Sequence, residues 1–341
     1  MRVLTFGELL LRLASPGYTK LFQRENLEAT FCGGEANVAV SLANLGINSE
    51  FVTVVPDNDV GRAAVNSMRY FGVKTDKILY KDGRMGLYYL EKGASQRPSK
   101  IIYDRAFSTF ATAKREDFDW SVIFSDVDWF HWTGINPAIS DEMRDIVLDA
   151  CIEAKKKGIM ISCDLNFRAK LWSPQQAQSV MPELLQYVDV CIANEEDAEL
   201  SLGIKARESD SNKAIINRDG YIELARKIGN EYKCKYVATT LRKSYSASMN
   251  GWSAMLYSTK NDVACFSTEY EIQMVDRVGG GDSFAAGIIY GIMSGMSERD
   301  SVEFATAASC LKQTMEGDYN RATVDDIKHL VKSGGNGRVQ R

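Results

Sequence analysis

The feature that most constrains the fold is a regular alternation of strand-like and helix-like segments. Short apolar runs of strand length are separated by longer amphipathic stretches of helical length. The strand-like segments are 51–55, 129–133, 159–165 and 188–193, and the helix-like segments are 33–45, 61–70, 141–157 and 174–185. Strands that alternate with such helices form right-handed βαβ units. The sequence therefore predicts an α/β fold with a doubly wound, mostly parallel sheet flanked by helices.

Two regions interrupt this alternation. Residues 10–32 and 84–110 contain strand-like pieces with no crossover helix between them, which indicates a small separate β-sheet that we interpret as a lid. Residues 205–220 form a polar surface excursion. We expect one α/β domain over residues 1–332 and a flexible, Gly-rich basic tail over 333–341.

Charge and composition narrow the function. The chain of 341 residues has 41 basic and 45 acidic side chains, so it lacks the basic character that attracts nucleic acid or anionic lipid. Two histidines are too few for a His-rich zinc centre. Seven cysteines without a C-x-x-C pair are typical of a reduced intracellular protein. We expect a small-molecule ligand, no nucleic acid and no membrane.

The N-terminal residues and the most apolar helix-like stretch predict a cytoplasmic protein. Met1 and Arg2 lead directly into the apolar segment 3–6, without the features of a signal peptide. The apolar stretch 284–296 is too short to span a bilayer.

The most informative segment is 276–284, which reads Asp-Arg-Val-Gly-Gly-Gly-Asp-Ser-Phe. Three glycines before an apolar helix let the backbone approach a ligand and direct free N–H groups at an anion. Asp282, at the helix start, is suited to accept the proton of an attacking hydroxyl. The alternative is that Asp282 is only a helix N-cap.

A second segment opens a helix near the N-terminus with Gly33, Gly34 and Asn37, whose amide offers a donor and an acceptor to a polyol. Alone it could be a simple glycine turn. The chain lacks G-x-x-x-x-G-K-[ST], and the residues after its first strand, 6–9, lack G-x-G-x-x-G. These absences argue against a P-loop enzyme and a Rossmann dehydrogenase.

Together the two segments resemble the ribokinase-like (PfkB) family of carbohydrate kinases, with its G-G-x-x-N and D-x-x-G-x-G-D helix starts. The resemblance extends from Arg2 to about Leu330. It implies a ribokinase-like fold with a β-sheet lid and an enzyme that phosphorylates an alcohol group with ATP. The anion hole would be formed by Gly279, Gly280 and Gly281, of which Gly279 and Gly281 would also contact the nucleotide. The general base would be Asp282.

The resemblance also implies residues for ATP and Mg²⁺. Asn194 and Asp197 resemble the family's N-x-x-E stretch, with Asp in place of Glu, and are assigned to the metal. The residues assigned to the nucleotide are Asn166, Asn194, Thr240, Arg242 and Ser244. The segment 239–246 lacks the glycines usual there, and the alternative for both stretches is a solvated turn or helix start. A monovalent cation such as K⁺ is left open as a further cofactor.

Within the family, four stretches are similar to the 2-keto-3-deoxygluconate kinases: 86–88, 103–105, 164–168 and 317–318. A planar guanidinium can bind a carboxylate through two bonds, which suits a sugar acid. The residues assigned to the substrate are Gly33, Gly34, Asn37, Tyr88, Tyr103, Arg105, Arg168 and Asp318. Alternatively, the two arginines are surface residues or contact phosphate, and Asp318 only ends a turn.

The prediction is therefore ATP-dependent phosphorylation of 2-keto-3-deoxygluconate to its 6-phosphate. Three alternatives stay open: a fructokinase or ribokinase of a neutral sugar, a kinase of another dehydro-deoxy sugar acid, and a non-catalytic sugar sensor. The apolar alternation of residues 87–90 permits a β interface between two lids, as in the family, so a homodimer through the lid is a further expectation.

Overall fold

The structure, a computed structural model, describes residues 1–207 and 216–335 as alternating strands and helices. The strands are β1 (Arg2–Phe6), β2 (Leu10–Ala14), β3 (Glu28–Cys32), β4 (Asn48–Val52), β5 (Val54–Pro56), β6 (Leu79–Lys81), β7 (Gly86–Glu91), β8 (Lys100–Asp104), β9 (Trp129–Thr133), β10 (Met160–Asp164), β11 (Val190–Ala193), β12 (Tyr236–Ser244), β13 (Met249–Ser258), β14 (Val263–Phe266) and β15 (Tyr270–Gln273). The helices are α1 (Gly34–Asn44), α2 (Asp59–Tyr70), α3 (Trp120–Ile123), α4 (Ile135–Ile139), α5 (Asp141–Lys156), α6 (Pro174–Leu185), α7 (Glu195–Leu202), α8 (Arg218–Tyr232), α9 (Gly280–Met293), α10 (Glu298–Gln313) and α11 (Val324–Ser333).

Nine of the described strands form the main sheet, in the order β14-β13-β12-β11-β10-β9-β1-β4, with β15 paired to β13. All pairs from β4 to β12 are parallel, and β13 runs antiparallel to β12. The interior strand β9 is buried at every residue, as expected for a parallel strand covered on both faces. The predicted doubly wound, mostly parallel sheet is confirmed.

Helices cover both faces of this sheet. One buried cluster joins the sheet to α5, α6 and α8, and another joins it to α1, α9 and α10. Helix α9 lies unusually close to α10 because Gly287 has no side chain: a Cβ atom there would lie 2.5 Å from Cα of Ala305. This close packing fixes the N-terminus of α9, where the most informative sequence segment lies.

The predicted lid is a separate four-stranded sheet with the order β3-β2-β7-β8. Its strands fall within the predicted ranges 10–32 and 84–110. Its inner face forms a small buried cluster that includes Leu10, Tyr88 and Leu90, and Val278 packs against this cluster. The lid therefore contacts the segment that precedes α9.

Some predicted bounds differ from the structure. The expected strand 51–55 is divided, because the chain leaves the main sheet after Val52 and Val54–Pro56 pairs with β6 instead. Of the polar excursion 205–220, residues 208–215 lie outside the described residues, as do 336–341 of the predicted tail. Within the described residues, no helix has both the length and the apolar character needed to cross a membrane.

Candidate active site

A cavity of about 1680 Å³ lies where the lid meets the carboxyl ends of β10 and β11 and the N-terminus of α9. Ligands of open α/β sheets bind at this edge, beyond the carboxyl ends of parallel strands. The predicted site residues that line the cavity are Tyr103, Arg105, Asn166, Arg168, Asn194, Asp197, Thr240, Arg242, Gly279, Gly280, Gly281 and Asp282. Gly33, Gly34, Asn37, Tyr88, Asp318 and Ser244 are not part of this lining.

Asp282 lies in the first turn of α9 and faces the cavity. It is not the helix N-cap, because Gly279 occupies that position, so the interpretation of Asp282 as a capping residue is wrong. Burial raises the pKa of Asp282 to about 6, although a hydrogen bond from Asn37 opposes the rise. A carboxylate with a pKa near neutrality can accept a proton at physiological pH and release it again.

Asn37 joins the two predicted motifs. Its Nδ2 donates a hydrogen bond to Oδ2 of Asp282 at 2.6 Å, and its Oδ1 accepts one from the N–H of Gly33 at 3.3 Å. A Cβ atom on Gly34 would lie 3.8 Å from Oδ1 of Asp282. The segment containing Gly33 and Gly34 therefore lies against the Asp282 carboxylate, and Asn37 orients that carboxylate.

The three glycines form the wall between the cavity and the protein interior. Gly279 has a left-handed backbone with φ of 83°, and a Cβ atom there would lie 2.1 Å from the main-chain oxygen of Asp318. At Gly281 a Cβ atom would meet open space. The first N–H groups of a helix have no partner within the helix. The loop can therefore present N–H donors to an anion in the cavity.

A group of buried charged and polar side chains, which we call the rear cluster, lies behind the loop and consists of Arg12, Tyr88, Asp276, Asp318 and Lys312. Arg12 donates hydrogen bonds to Asp276, at 2.5 Å, and to Asp318. The Tyr88 hydroxyl donates to Asp318 at 2.7 Å, and Nζ of Lys312 donates to the main-chain oxygen of Asp276 at 3.0 Å.

The rear cluster connects the lid to the loop. Its lid members, Arg12 and Tyr88, lie on β2 and β7. Asp276 precedes α9, Lys312 lies in the last turn of α10, and Asp318 follows α10. The glycine loop rests directly on it, because a Cβ atom at Gly279 would lie 3.2 Å from Cε of Lys312. Tyr88 and Asp318, which the sequence assigned to the substrate, bind Arg12 or each other here.

Two carboxylates, Asp164 and Asp197, face the cavity beside Asn194. Asn194 caps α7 by accepting a hydrogen bond from the N–H of Asp197 at 2.8 Å, and its Nδ2 donates to Oδ2 of Asp197 at 2.7 Å. Burial raises the pKa of Asp197 to about 6. Burial, and the charges of Asp197 and Asp282, also raise the pKa of Asp164. A bound cation would relieve this repulsion.

These residues fit Mg²⁺ better than a metal held by protein alone. In the part of the chain that the structure describes, no three His, Cys, Asp or Glu side chains are grouped to hold a metal ion. Mg²⁺ normally takes one or two protein carboxylates and completes its shell with water and substrate phosphates. Asp164 and Asp197 can supply those carboxylates.

Arg105 and Arg168 both line the cavity. Arg105 forms an ion pair with the buried Glu8, which also accepts a hydrogen bond from the Ser108 hydroxyl. Arg168 donates to the main-chain oxygen of Phe167 at 2.9 Å. Its charge partly opposes the rise in the pKa of Asp164. Part of the charge of Arg105 is therefore already balanced by Glu8.

Thr240 and Arg242 line the cavity, whereas Ser244, at the end of β12, does not. Arg277, two residues before the glycine loop, also lines it. Burial lowers the pKa of Arg277, and the nearby charge of Arg242 lowers it further. Two cations therefore share one wall of the cavity.

The comparisons with known proteins identify the family of the chain. The family described as pfkB family carbohydrate kinase matches residues 2–324. The chain belongs to the pfkB family of carbohydrate kinases. It is therefore a phosphotransferase that acts on a sugar, in a family that uses ATP.

Three relatives are similar to this kinase over nearly its whole length. The crystal structure of 2-dehydro-3-deoxygluconokinase from Thermotoga maritima has a TM-score of 0.93 and 47% identity, and covers 97% of this chain and 99% of that chain. The 2-dehydro-3-deoxygalactonokinase of Haloferax volcanii is 28% identical over 333 residues, 97% of each chain. The 2-dehydro-3-deoxygluconokinase of Bacillus subtilis is 28% identical over 324 residues, 93% of this kinase and 90% of that protein.

Several residues of the site were not assigned from the sequence. Asp164 stands at the end of a predicted strand, which is where α/β enzymes place polar ligands, so its position was an available signal. Arg277 lies inside the predicted phosphate segment, where its charge is a local signal for an anion. Glu8 and Lys312 carry no local signal, because only the folded chain brings them to Arg105 and Asp276.

Proposed function

We propose that this kinase transfers the terminal phosphoryl group of ATP to the 6-hydroxyl of 2-keto-3-deoxygluconate, also called 2-dehydro-3-deoxygluconate. The observation that carries the proposal is the 47% identity, over 97% of the chain, to the Thermotoga maritima 2-dehydro-3-deoxygluconokinase. A cavity lined by four arginines, the Asp282 carboxylate and a glycine loop supports it.

In this proposal Asp282 is the general base. Its carboxylate faces the cavity, accepts the hydrogen bond from Asn37, and has a pKa raised to about 6 by burial. It is therefore mainly ionised at pH 7 and can take the proton of the attacking hydroxyl. Asn37 orients the carboxylate, and a Cβ atom on Gly34 would lie 3.8 Å from Oδ1 of Asp282. Gly33, Gly34 and Asn37 stay proposed substrate contacts.

The glycine loop is the proposed anion hole. N–H groups of Gly279, Gly280 and Gly281 at the start of α9 would donate to the oxygens of the transferred phosphoryl group as negative charge develops there. The amides are held in advance by the left-handed Gly279 and by the rear cluster, so little reorganisation accompanies the reaction.

The metal and nucleotide side lies along β10, β11 and β12. Asp197 and Asn194, together with Asp164, would hold Mg²⁺, which neutralises phosphate oxygens when it is bound. Asn166, Thr240, Arg242 and Ser244 are the proposed nucleotide contacts, with Ser244 the farthest from the cavity lining. A monovalent cation such as K⁺ stays a prediction.

The substrate carboxylate would bind at the lid side. Arg105 on the lid and Arg168 beside β10 both line the cavity, and Tyr103 lies next to Arg105 with its ring 5.8 Å from the guanidinium carbon. Glu8 holds Arg105 in place and leaves its remaining donors for a ligand. Arg168 has no carboxylate partner within ion-pair distance among residues 1–207 and 216–335. It is therefore the stronger of the two proposed carboxylate contacts.

Tyr88 and Asp318 have a different proposed role. Both lie in the rear cluster, where Arg12 binds Asp318 and Tyr88 donates to it, so they would shape the site from behind. The homodimer through the lid and the cytoplasmic location stay predictions.

A second candidate substrate is 2-keto-3-deoxygalactonate. The Haloferax volcanii relative is named 2-dehydro-3-deoxygalactonokinase and covers 97% of this chain. The galactonate differs from the gluconate only in the configuration of one hydroxyl, so both could use the same carboxylate contacts.

A panel of sugars tests the proposal. ADP release would be measured with 2-keto-3-deoxygluconate, 2-keto-3-deoxygalactonate, fructose and ribose. We expect the highest kcat/KM for the gluconate and at least about a hundredfold lower values for the neutral sugars, because Arg168 would be left without a carboxylate partner. Equal or higher kcat/KM for fructose or ribose would overturn the acid assignment, and no ADP release with any sugar would favour the non-catalytic sensor.

A further inference from the structure

Two arginines on the cavity wall have no anionic partner among the residues that the structure describes. Arg242 and Arg277 both line the cavity, and within residues 1–207 and 216–335 neither has a carboxylate within ion-pair distance. Nε of Arg242 is buried and donates no hydrogen bond to any of the described residues. Buried or half-buried charges are normally paired, so this pair of cations suits the binding of an anion.

The two charges also repel each other. The pKa of Arg277 is lowered first by burial and then by the charge of Arg242. Like charges that are close together in a partly dry site raise the free energy of the empty protein, and a bound anion between them lowers it. The site is therefore more favourable for a multiply charged anion than for a single carboxylate.

Their positions identify which anion fits. Arg277 precedes Gly279 by two residues, so an anion at the glycine loop lies next to it. Arg242 lies on β12 two residues after Thr240, which also lines the cavity. Arg105, by contrast, lies on the lid side and already has Glu8 as a partner. The phosphate chain of a nucleotide suits the first pair, and a sugar carboxylate suits the lid side.

We propose that Arg277 is a polyphosphate-binding residue that, together with Arg242, holds the phosphate chain of the nucleotide beside the glycine loop. The inference rests on the proposed function in one respect, the assignment of the phosphates to that loop. Arginine suits this role because its planar guanidinium donates two parallel hydrogen bonds to phosphate oxygens.

The test compares Arg277→Gln with the unmodified kinase and with a control, Arg24→Gln, which removes an exposed arginine outside the cavity lining. Calorimetry without any sugar would measure the affinity for ATP, for inorganic tripolyphosphate and for adenosine. We expect Arg277→Gln to weaken ATP and tripolyphosphate binding about tenfold or more, the usual scale for a charged hydrogen bond, and to leave adenosine unchanged. Arg24→Gln should change none of the three.

Two outcomes would overturn the proposal. One is unchanged ATP and tripolyphosphate affinity in Arg277→Gln; the other is a raised KM for the sugar acid with unchanged ATP affinity, which would assign Arg277 to the carboxylate. If Arg277→Gln does not fold, the unmodified kinase gives the answer: tripolyphosphate alone should raise its thermal unfolding midpoint, and no shift would reject the site. Because the calorimetry and the thermal unfolding contain no sugar, a wrong substrate assignment would leave both unaffected.

Discussion

Arginines lie on both sides of the glycine loop, and they differ in their partners. Behind the loop, Arg12 is almost fully buried and binds both Asp276 and Asp318. On the cavity side, Arg242 and Arg277 have no carboxylate partner within ion-pair distance in the described residues. Arginine is thus paired with carboxylates behind the loop, whereas the two arginines on the cavity side have no such partner among the described residues.

The difference separates a structural charge from a ligand-binding one. A buried ion pair holds elements in one geometry, and removing one partner leaves a buried charge that destabilises the fold. An unpaired cation in a cavity costs stability until a ligand supplies the opposite charge. Substitutions behind the loop should therefore lower stability, and substitutions on the cavity side should lower activity or affinity.

The largest expected effect is on the cavity side, at Asp282. Asp282→Asn should lower kcat by about two to four orders of magnitude, because the amide cannot accept the hydroxyl proton. Its unfolding midpoint should stay close to that of the unmodified kinase, since burial disfavours the charge that is removed. Steady-state kinetics and thermal unfolding measure the two quantities. Near-normal turnover would reject Asp282 as the base.

Behind the loop, the largest effect should be on stability. Arg12→Met leaves Asp276 and Asp318 buried without their cation and should lower the free energy of unfolding by about 3–5 kcal/mol. Arg277→Met, on the cavity side, should change it much less. Urea unfolding of the two variants is the matched measurement. Equal losses of stability would break the comparison between the two faces.

Within the loop, the stabilities of Gly279→Ala and Gly281→Ala can be compared directly. Gly279→Ala places a Cβ atom on the Asp318 main-chain oxygen in a left-handed backbone, and should cost about 1–3 kcal/mol of stability. Gly281→Ala places its Cβ atom in open space, so its stability should stay closer to that of the unmodified kinase. If both variants are equally stable, the loop is not held rigidly by the rear cluster.

The pH dependence gives the smallest expected effect. Because burial raises the pKa of Asp282 to about 6, the base becomes protonated as the pH falls through 6. Below that pH, kcat/KM should fall about tenfold per unit, and above it the profile should be level. Asp197 has a pKa of about 6 as well, so Asp197→Asn is the control and should keep the acid limb. A level profile of the unmodified kinase from pH 7 to pH 5 would contradict the assignment.

The sequence predicted the elements better than the contacts between them. Strand 129–133 and helix 174–185 match the structure residue by residue, because both have strong local patterns: an aromatic-rich run in the strand, and a Ser173 cap followed by Pro174 in the helix. The lid was predicted from the missing crossover helices.

The rest could not be predicted because it depends on contacts between distant parts of the chain. Arg12 meets Asp276 and Asp318 across more than 260 residues, as their separations of 264 and 306 show, and no local pattern encodes such a pair. The same holds for the ion pair that engages Arg105 with Glu8. Asp282 and Asn37, in contrast, were recognisable because each opens a helix after glycines.

A crystal structure with a non-hydrolysable ATP analogue and 2-keto-3-deoxygluconate tests the central claim most directly. We predict the terminal phosphate within hydrogen-bond distance of the amides of Gly279–Gly281 and near Arg277, with the 6-hydroxyl of the sugar acid against Asp282. Phosphate bound away from this loop, or a sugar hydroxyl out of reach of Asp282, would contradict the account.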